Sequence, residues 1–267
     1  MRGDGMRPWR ILRAILCWIV AVWLLAPLVV VVVISFSSAP FLQFPPPGFS
    51  MRWYGQLFST PAWTNSLLVS VEIMIPAAAF ATVLGTAASY ALVRGRIPGA
   101  NLIMACLMLP LIVPGMITAA ALFGIYRGLG LNGTLTGLII GHTVLCLPYV
   151  VATVSSALRV QDARLEQVAS TLGANPVRAF LRVYLPLTLP GLMTGGTLVF
   201  VSTLGYYIIP ALLGGPRQQM ISQLIQDQIA TYGNWGMAGS LSLLLLAATG
   251  ALLLLLQLTV GLKEVVR

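Results

Sequence analysis

Charge is what this sequence has least of. Six acids and fifteen lysines and arginines make up 8% of 267 residues, while 58% of the chain is hydrophobic. So small a polar complement cannot coat a water-soluble domain, which excludes the one or two soluble domains that the length alone would suggest and leaves an integral membrane protein. Lysine occurs once, as Lys263 after Leu262. A Walker A loop requires Gly-Lys-Ser/Thr, so this chain does not bind ATP in that way. Histidine also occurs once, as His142 in GHTVLCLP; this excludes HExxH and other multi-histidine metal sites, and reads as a packed, hydrogen-bonded side chain inside a span. The acids Asp4, Glu72, Asp162, Glu166, Asp227 and Glu264 form no catalytic pair along the chain. Cys17, Cys106 and Cys146 lack CxxC spacing, lie in apolar runs and read as packing residues. The sequence therefore offers no catalytic residue, metal site or cofactor of its own, and any driving energy has to come from another protein or an ion gradient.

What is present is apolar length. A span needs about 20 mostly apolar residues, and six runs qualify, near 11–36, 64–93, 101–125, 135–158, 183–210 and 239–262. Arg2, Arg7, Arg10 and Arg13 resemble the n-region of a signal peptide, but the apolar stretch from Ile11 to Ile34 far exceeds the roughly 7–15 residues of a cleavable core, so it reads as a retained helix. With the N-terminus inside, the outer segments carry only Arg52, Arg127 and Arg217, and all other basic residues fall on the inner side. This bias places both termini in the cytoplasm. The net charge of +9 is then explained by topology beside anionic membrane lipid, without nucleic acid.

One inner segment is out of keeping with its surroundings. Between Arg159 and Arg182, Asp162 is placed to cap a helix, and Leu165, Val168, Ala169 and Leu172 recur at i, i+3, i+4 and i+7. Gly173 follows at a C-cap position, and Asn175-Pro176 turns the chain into a second short helical pattern through Val177, Phe180 and Leu181. Periodicity alone leaves two readings open: an interfacial amphipathic linker, or a docking element for a cytoplasmic partner.

The stretch LEQVASTLGANPVRAFLRVYLPLTLPG resembles the EAA loop of binding-protein-dependent ABC transporter permeases: Gln167, Val168 and Ala169 take the EAA positions, Gly173 is the glycine, and Val183-Tyr184-Leu185-Pro186 follows after nine residues. Gln167 stands where glutamate is usual, with Glu166 one place earlier, and Val168 replaces an alanine. The segments SFSSAPFLQFPPPGFSMRWYGQLF, NSLLVS and GYYIIPALLGG are similar to the spermidine/putrescine branch, so the likeness runs through nearly the whole chain. The resemblance implies an all-α integral membrane permease domain over 1–267 with six transmembrane helices, in a bacterial inner membrane, and a cytoplasmic coupling helix at 163–176 between the fourth and fifth. It implies that Glu166, Gln167, Val168, Ala169, Leu172 and Gly173 contact a cytoplasmic ATPase dimer, which binds the ATP and Mg. It further implies a second, different permease subunit, and a periplasmic or extracellular substrate-binding protein that docks on the outer loops at 37–63 and 211–238.

Candidates for the substrate pathway are Glu72, the one acid inside a span, and Tyr206 and Tyr207 near the outer end of the fifth. Glu72 suits a structural pairing or a substrate role. The tyrosines suit cation–π contact or the interfacial belt. Pro76, Pro110, Pro114 and Pro148 interrupt spans, and the carbonyls they free must face protein or water, either at kinks or along a pathway. Small residues in GTAAS (85–89) and TGGT (194–197) allow close helix approach. The branch resemblance suggests polyamines; opine or amino-acid-like solutes remain open, as do, from a different class, an ion-gradient-driven secondary transporter and a membrane scaffold.

Overall fold

The computed structural model describes residues 7–95, 97–162 and 164–260; the side chains of Arg7, Pro8, Glu166, Gln167, Pro176 and residues 256–260 lie outside that description. Among the described residues the chain is almost entirely helical, with a lone bridge between Ser37 and Phe49. It divides into two compact units, one of residues 1–61 with 225–251, the other of residues 62–224 with 252–267.

The first unit contains α1 (Arg7–Ser35), α2 (Arg52–Ser59), the greater part of α11 (Ile221–Ala230) and α12 (Trp235–Val260) as far as Ala251. Helix α1 is apolar all round and buries none of its most hydrophobic window, as expected of a helix solvated by lipid. Its far end is held firmly. Ser240 donates to the carbonyl of Ser35 at 3.0 Å, Trp53 Nε1 donates to the carbonyl of Ser37 at 2.8 Å, and the N–H of Trp235 reaches the carbonyl of Pro40 at 2.6 Å. The Trp53 ring lies over Gly236, where no side chain would fit.

The second unit carries the remaining spans. α3 (Ala62–Arg94), α6 (Leu135–Val160) and α9 (Leu185–Gly205) pack against one another as its centre. Glycine makes their close approach possible: a Cβ at Gly85 on α3 would sit 2.8 Å from Val150 Cβ, and one at Gly195 on α9 would sit 2.9 Å from Val150 Cα. Val150 of α6 is thus gripped from both sides, which is the small-residue packing that membrane helices use in place of a hydrophobic drive. His142 is fully buried in α6, with Nδ1 2.9 Å from the carbonyl of Leu138. Cys17 and Cys106 lie on exposed faces of their helices and only Cys146 is buried, so core packing accounts for one cysteine of the three.

The third apolar run is two helices, α4 (Ala100–Ile112) and α5 (Gly115–Leu129), bent by 109° at the intervening break. Pro114 explains the bend: it has no N–H to continue α4, and it drives Val113 into an extended conformation, φ −75° and ψ 130°. At 13 and 15 residues each half is only about 20 Å long, too short to cross alone. The pair nevertheless crosses. Arg94, at the end of α3, bonds the carbonyls of Leu158 and Gln161 at the end of α6, which marks one end of this unit. At the other, the N–H of Gly133 meets the carbonyl of Leu213, and Ser70 accepts from the N–H of Ile221. A chain that leaves Arg94 and reaches Gly133 has passed from one end to the other. Five continuous helices and this broken one therefore make six spans.

The fifth span also ends sooner than its apolar run. It stops at Gly205, Tyr206 is extended, and α10 (Ile208–Leu213) follows as a separate short helix packed on α5 and α6. α11 (Ile221–Ala230) then leads towards α12.

Candidate functional site

The segment between α6 and α9 folds as two short helices around a glycine. α7 (Arg164–Thr171) starts where Asp162 Oδ1 accepts from the N–H of Arg164 at 2.9 Å, a cap that stabilises a helix by about 1 kcal/mol. It stops at Gly173, whose φ of +79° lies in the left-handed region. The N–H of Gly173 bonds the carbonyl of Ser170 and that of Ala174 bonds the carbonyl of Ala169, both at 3.0 Å, which together form a Schellman closure. Asn175 Oδ1 then accepts from the N–H of Arg178 at 2.8 Å and caps α8 (Pro176–Ala179). α8 runs through a π-helical turn, Phe180–Tyr184, directly into α9.

The apolar stripe of α7 is divided between two surfaces. Ala169 is buried, and Leu165 packs against the core around Val154, Leu158 and Tyr184. Val168 and Leu172 point outward, Leu172 with 82% of its surface exposed. The inward pair seats the helix and the outward pair presents a free apolar edge. Glu166 and Gln167 belong to the backbone of α7, but their side chains lie outside the described residues.

Next to α7 the ends of three helices are tied together. Arg94 Nη2 donates to the carbonyls of Leu158 and Gln161, both at 2.8 Å, and its guanidinium lies 5.0 Å from the Tyr184 ring centroid. A cation at a helix C-terminus satisfies its last carbonyls and its dipole together. Tyr90 of α3 packs against Phe180 and Tyr184 with tilted rings, centroids 4.7 and 5.5 Å apart. The ends of α3 and α6 and the root of α9 are thereby joined where α7 and α8 attach.

A second feature lies midway along the spans. The break between α4 and α5 opens on a cavity of about 300 Å³ lined by Pro110 to Gly115, Leu145 and Tyr149 of α6, and Tyr206, Ile208 and Ile209. The Tyr149 and Tyr206 hydroxyls are 2.9 Å apart and hydrogen-bonded. Of the pathway candidates named from sequence, the cavity takes Tyr206 alone. Tyr207 is not in its wall, and Glu72 is exposed on α3, away from it. Tyr149 was missed by sequence reading: it lies inside an apolar helix, and its partner is 57 residues away.

The comparisons with known proteins agree with this architecture. The family described as binding-protein-dependent transport system inner membrane component matches residues 81–265. The chain belongs to this family. Among individual relatives, it is 32% identical to the putrescine transport system permease protein PotI of Escherichia coli (strain K12) over 83% of this chain and 80% of that one. It is 28% identical to the spermidine/putrescine transport system permease protein PotC of Haemophilus influenzae over 92% and 95%. In fold it is similar to a bacterial ABC transporter involved in import of the acidic polysaccharide alginate, with TM-score 0.72, 19% identity and coverage of 99% of each chain. A second solved structure, of the alginate transporter in complex with an alginate pentasaccharide-bound periplasmic protein, matches with TM-score 0.67 and 13% identity over 98% of this chain and 96% of that one. The chain is thus a multi-pass inner-membrane permease subunit of a binding-protein-dependent ABC importer, in the branch that contains the spermidine/putrescine permeases, and it is not itself the ATPase.

Proposed function

We propose that this permease imports polyamines or a related small cationic amine, and that ATP hydrolysis in a separate cytoplasmic ATPase dimer, which holds the ATP and Mg, drives it through α7. The observation that carries the coupling reading is the divided stripe of α7: Leu165 and Ala169 root the helix in the bundle, while Val168 and Leu172 offer an unfilled apolar edge. Such an edge fits a groove on a partner and moves with it as a lever. In this reading Gly173 sets the exit angle, Ala169 positions the helix, and Glu166 and Gln167 flank the contact. The substrate reading draws on the two polyamine permeases that resemble this chain over most of their length. The alternative of an opine or amino-acid-like substrate shares all of this apparatus.

The distribution of basic residues supports cytoplasmic termini and a cytoplasmic α7. It puts the segments at 37–63 and 211–238 outside, available to a substrate-loaded binding protein; Phe41, Phe44, Phe49 and Met51 of the first expose their side chains. A second, different permease completes the pore. Glu72 supports that pairing: its side chain is exposed within a 33-residue membrane helix and has no hydrogen-bond or ion-pair partner among the described residues. Pro76, four residues on, has no N–H to give to the Glu72 carbonyl. An unpartnered carboxyl beside a carbonyl that has lost its usual i+4 donor calls for protein or water in front of it, which fits a face of α3 turned to the second permease or to the pathway.

The test is uptake of radiolabelled putrescine into proteoliposomes holding the complete transporter and its binding protein. ATP-dependent accumulation that competes with spermidine is expected. Accumulation of an opine or amino acid to the exclusion of putrescine would overturn the substrate reading, and uptake that follows an imposed ion gradient without ATP would overturn the coupling reading.

A further inference from the structure

The wall of the cavity at the α4–α5 break contains no ionisable carboxylate or cation. Its lining side chains are apolar apart from the two tyrosines, so its remaining polar surface is backbone. That backbone has an uncommon composition. Pro114 cannot donate to the carbonyl of Pro110, the N–H of Val113 goes back to Leu109, and those of Ile117 and Thr118 both go to Pro114. The carbonyls of Pro110, Leu111, Ile112 and Val113 consequently receive no hydrogen bond among the described residues. They form the C-terminal, negative end of α4. The free backbone donors of the same wall are the N–H of Gly115 at the break and those of Ile208 and Ile209 in the first turn of α10, fewer than the four carbonyls. The same wall holds Tyr149 and Tyr206, whose hydroxyls are hydrogen-bonded to each other.

We propose that this break is an ammonium-binding station within the translocation pathway: the freed carbonyls of α4 accept the N–H groups of a substrate's primary ammonium, and Tyr149 and Tyr206 close over it. Membrane helices interrupted at mid-depth use unwound carbonyls and half-helix C-termini for cations in this manner, and tyrosine rings add cation–π attraction where water is excluded. Neutral backbone dipoles hold a passing cation more weakly than a carboxylate would, which suits a station that must also release its cargo. Small amines fit the volume of about 300 Å³. The Tyr149–Tyr206 hydrogen bond spans α6 and the end of α9, so the same pair that closes on the ammonium also joins two helices that have to separate for it to leave.

This inference rests on the cationic-amine reading above, and the experiment separates the two. Uptake of radiolabelled putrescine by the wild-type transporter tests that reading. Equilibrium binding of radiolabelled putrescine to the complete detergent-purified transporter, without the binding protein and at millimolar concentrations, tests the station. Wild-type binding is expected to be saturable and to be displaced by methylammonium but not by acetate. Tyr206→Leu, which removes ring and hydroxyl, is expected to weaken it about tenfold, and Tyr206→Phe and Tyr149→Phe, which keep the ring, by about threefold. Copurification of each variant as a monodisperse complex with the ATPase and the second permease is the check that it is folded and assembled. If the wild-type transporter accumulates putrescine but shows no saturable binding, or if Tyr206→Leu binds it at wild-type strength, the station is wrong and the substrate reading stands. Displacement by acetate would overturn the ammonium assignment in favour of the α5 N-terminus acting on an anion. A wild-type transporter that takes up no amine removes both.

Discussion

Replacing Gly173 with leucine is expected to leave the chain inserted in the membrane and to abolish ATP-driven uptake. No atom lies within 4 Å of a Cβ built at this position, so the substitution meets no clash and the bundle of α3, α6 and α9 has no reason to fail. The cost is in the backbone. A φ of +79° is disfavoured for an L side chain by about 1–2 kcal/mol, and the Schellman closure at Ser170 and Ala169 depends on it. Leucine favours continuation of α7, which swings the segment leading to α8 and re-aims Val168 and Leu172. Asparagine tolerates the left-handed region, so Gly173→Asn should retain much of the activity that Gly173→Leu loses. Wild-type membrane levels with uptake reduced to background for leucine, and substantial uptake for asparagine, are the expected pattern. Normal uptake by Gly173→Leu would show that the exit angle of α7 does not matter and would weaken the lever.

The second large effect lies in the membrane. Gly195→Val is expected to prevent the chain from accumulating as a folded permease. A Cβ there would be 2.5 Å from Thr153 Oγ1 and 2.9 Å from Val150 Cα, and the second of these is backbone that cannot rotate away. Overpacking by a single methylene costs about 1–3 kcal/mol in a well-packed core, and valine adds three carbons at a helix crossing. Gly205→Ala on the same α9 meets nothing within 4 Å and should be tolerated. Quantitative immunoblotting of membranes, with protease resistance as the folding readout, distinguishes them. Equal levels of both variants would mean that α6 and α9 do not approach each other this closely.

The fold was largely legible in the sequence because the bilayer demands one conspicuous thing, about 20 apolar residues at a time. The ends of α3 and α6 and the start of α12 fall within a few residues of their apolar runs, and the last run's end at 262 lies outside the described residues. The third run misled for the same reason: LPLIVPG is apolar without interruption, so hydropathy counts across a bend of 109°. The available signal was Pro114-Gly115, a dipeptide that marks turns in any solvent. The early end of the fifth span at Gly205 was hidden in the same way, since IIPALL is as apolar as a span but belongs to α10.

The segment between α6 and α9 was legible in its chemistry and not in how its stripe divides between two surfaces. Asp162, Gly173 and Asn175 occupy the capping roles that their side chains suit. The stripe of Leu165, Val168, Ala169 and Leu172 reads as one face at helical spacing, yet at 55% and 82% exposure Val168 and Leu172 belong to a different surface from Ala169. A stripe about 100° wide has two edges, and only tertiary packing decides which edge is covered. Tyr149 was illegible because a cavity wall is assembled from helices distant in sequence. No pattern around residue 149 announces Tyr206.

The central claim is that the free edge of α7 sits on an ATPase. A photoreactive phenylalanine analogue placed at Leu172, in membranes containing the whole transporter, tests it most directly. The account predicts that illumination yields a covalent adduct with the ATPase subunit, identified by mass spectrometry. An adduct confined to lipid or to the second permease, from a complex in which the ATPase nonetheless copurifies, would place the contact elsewhere and return α7 to an interfacial linker.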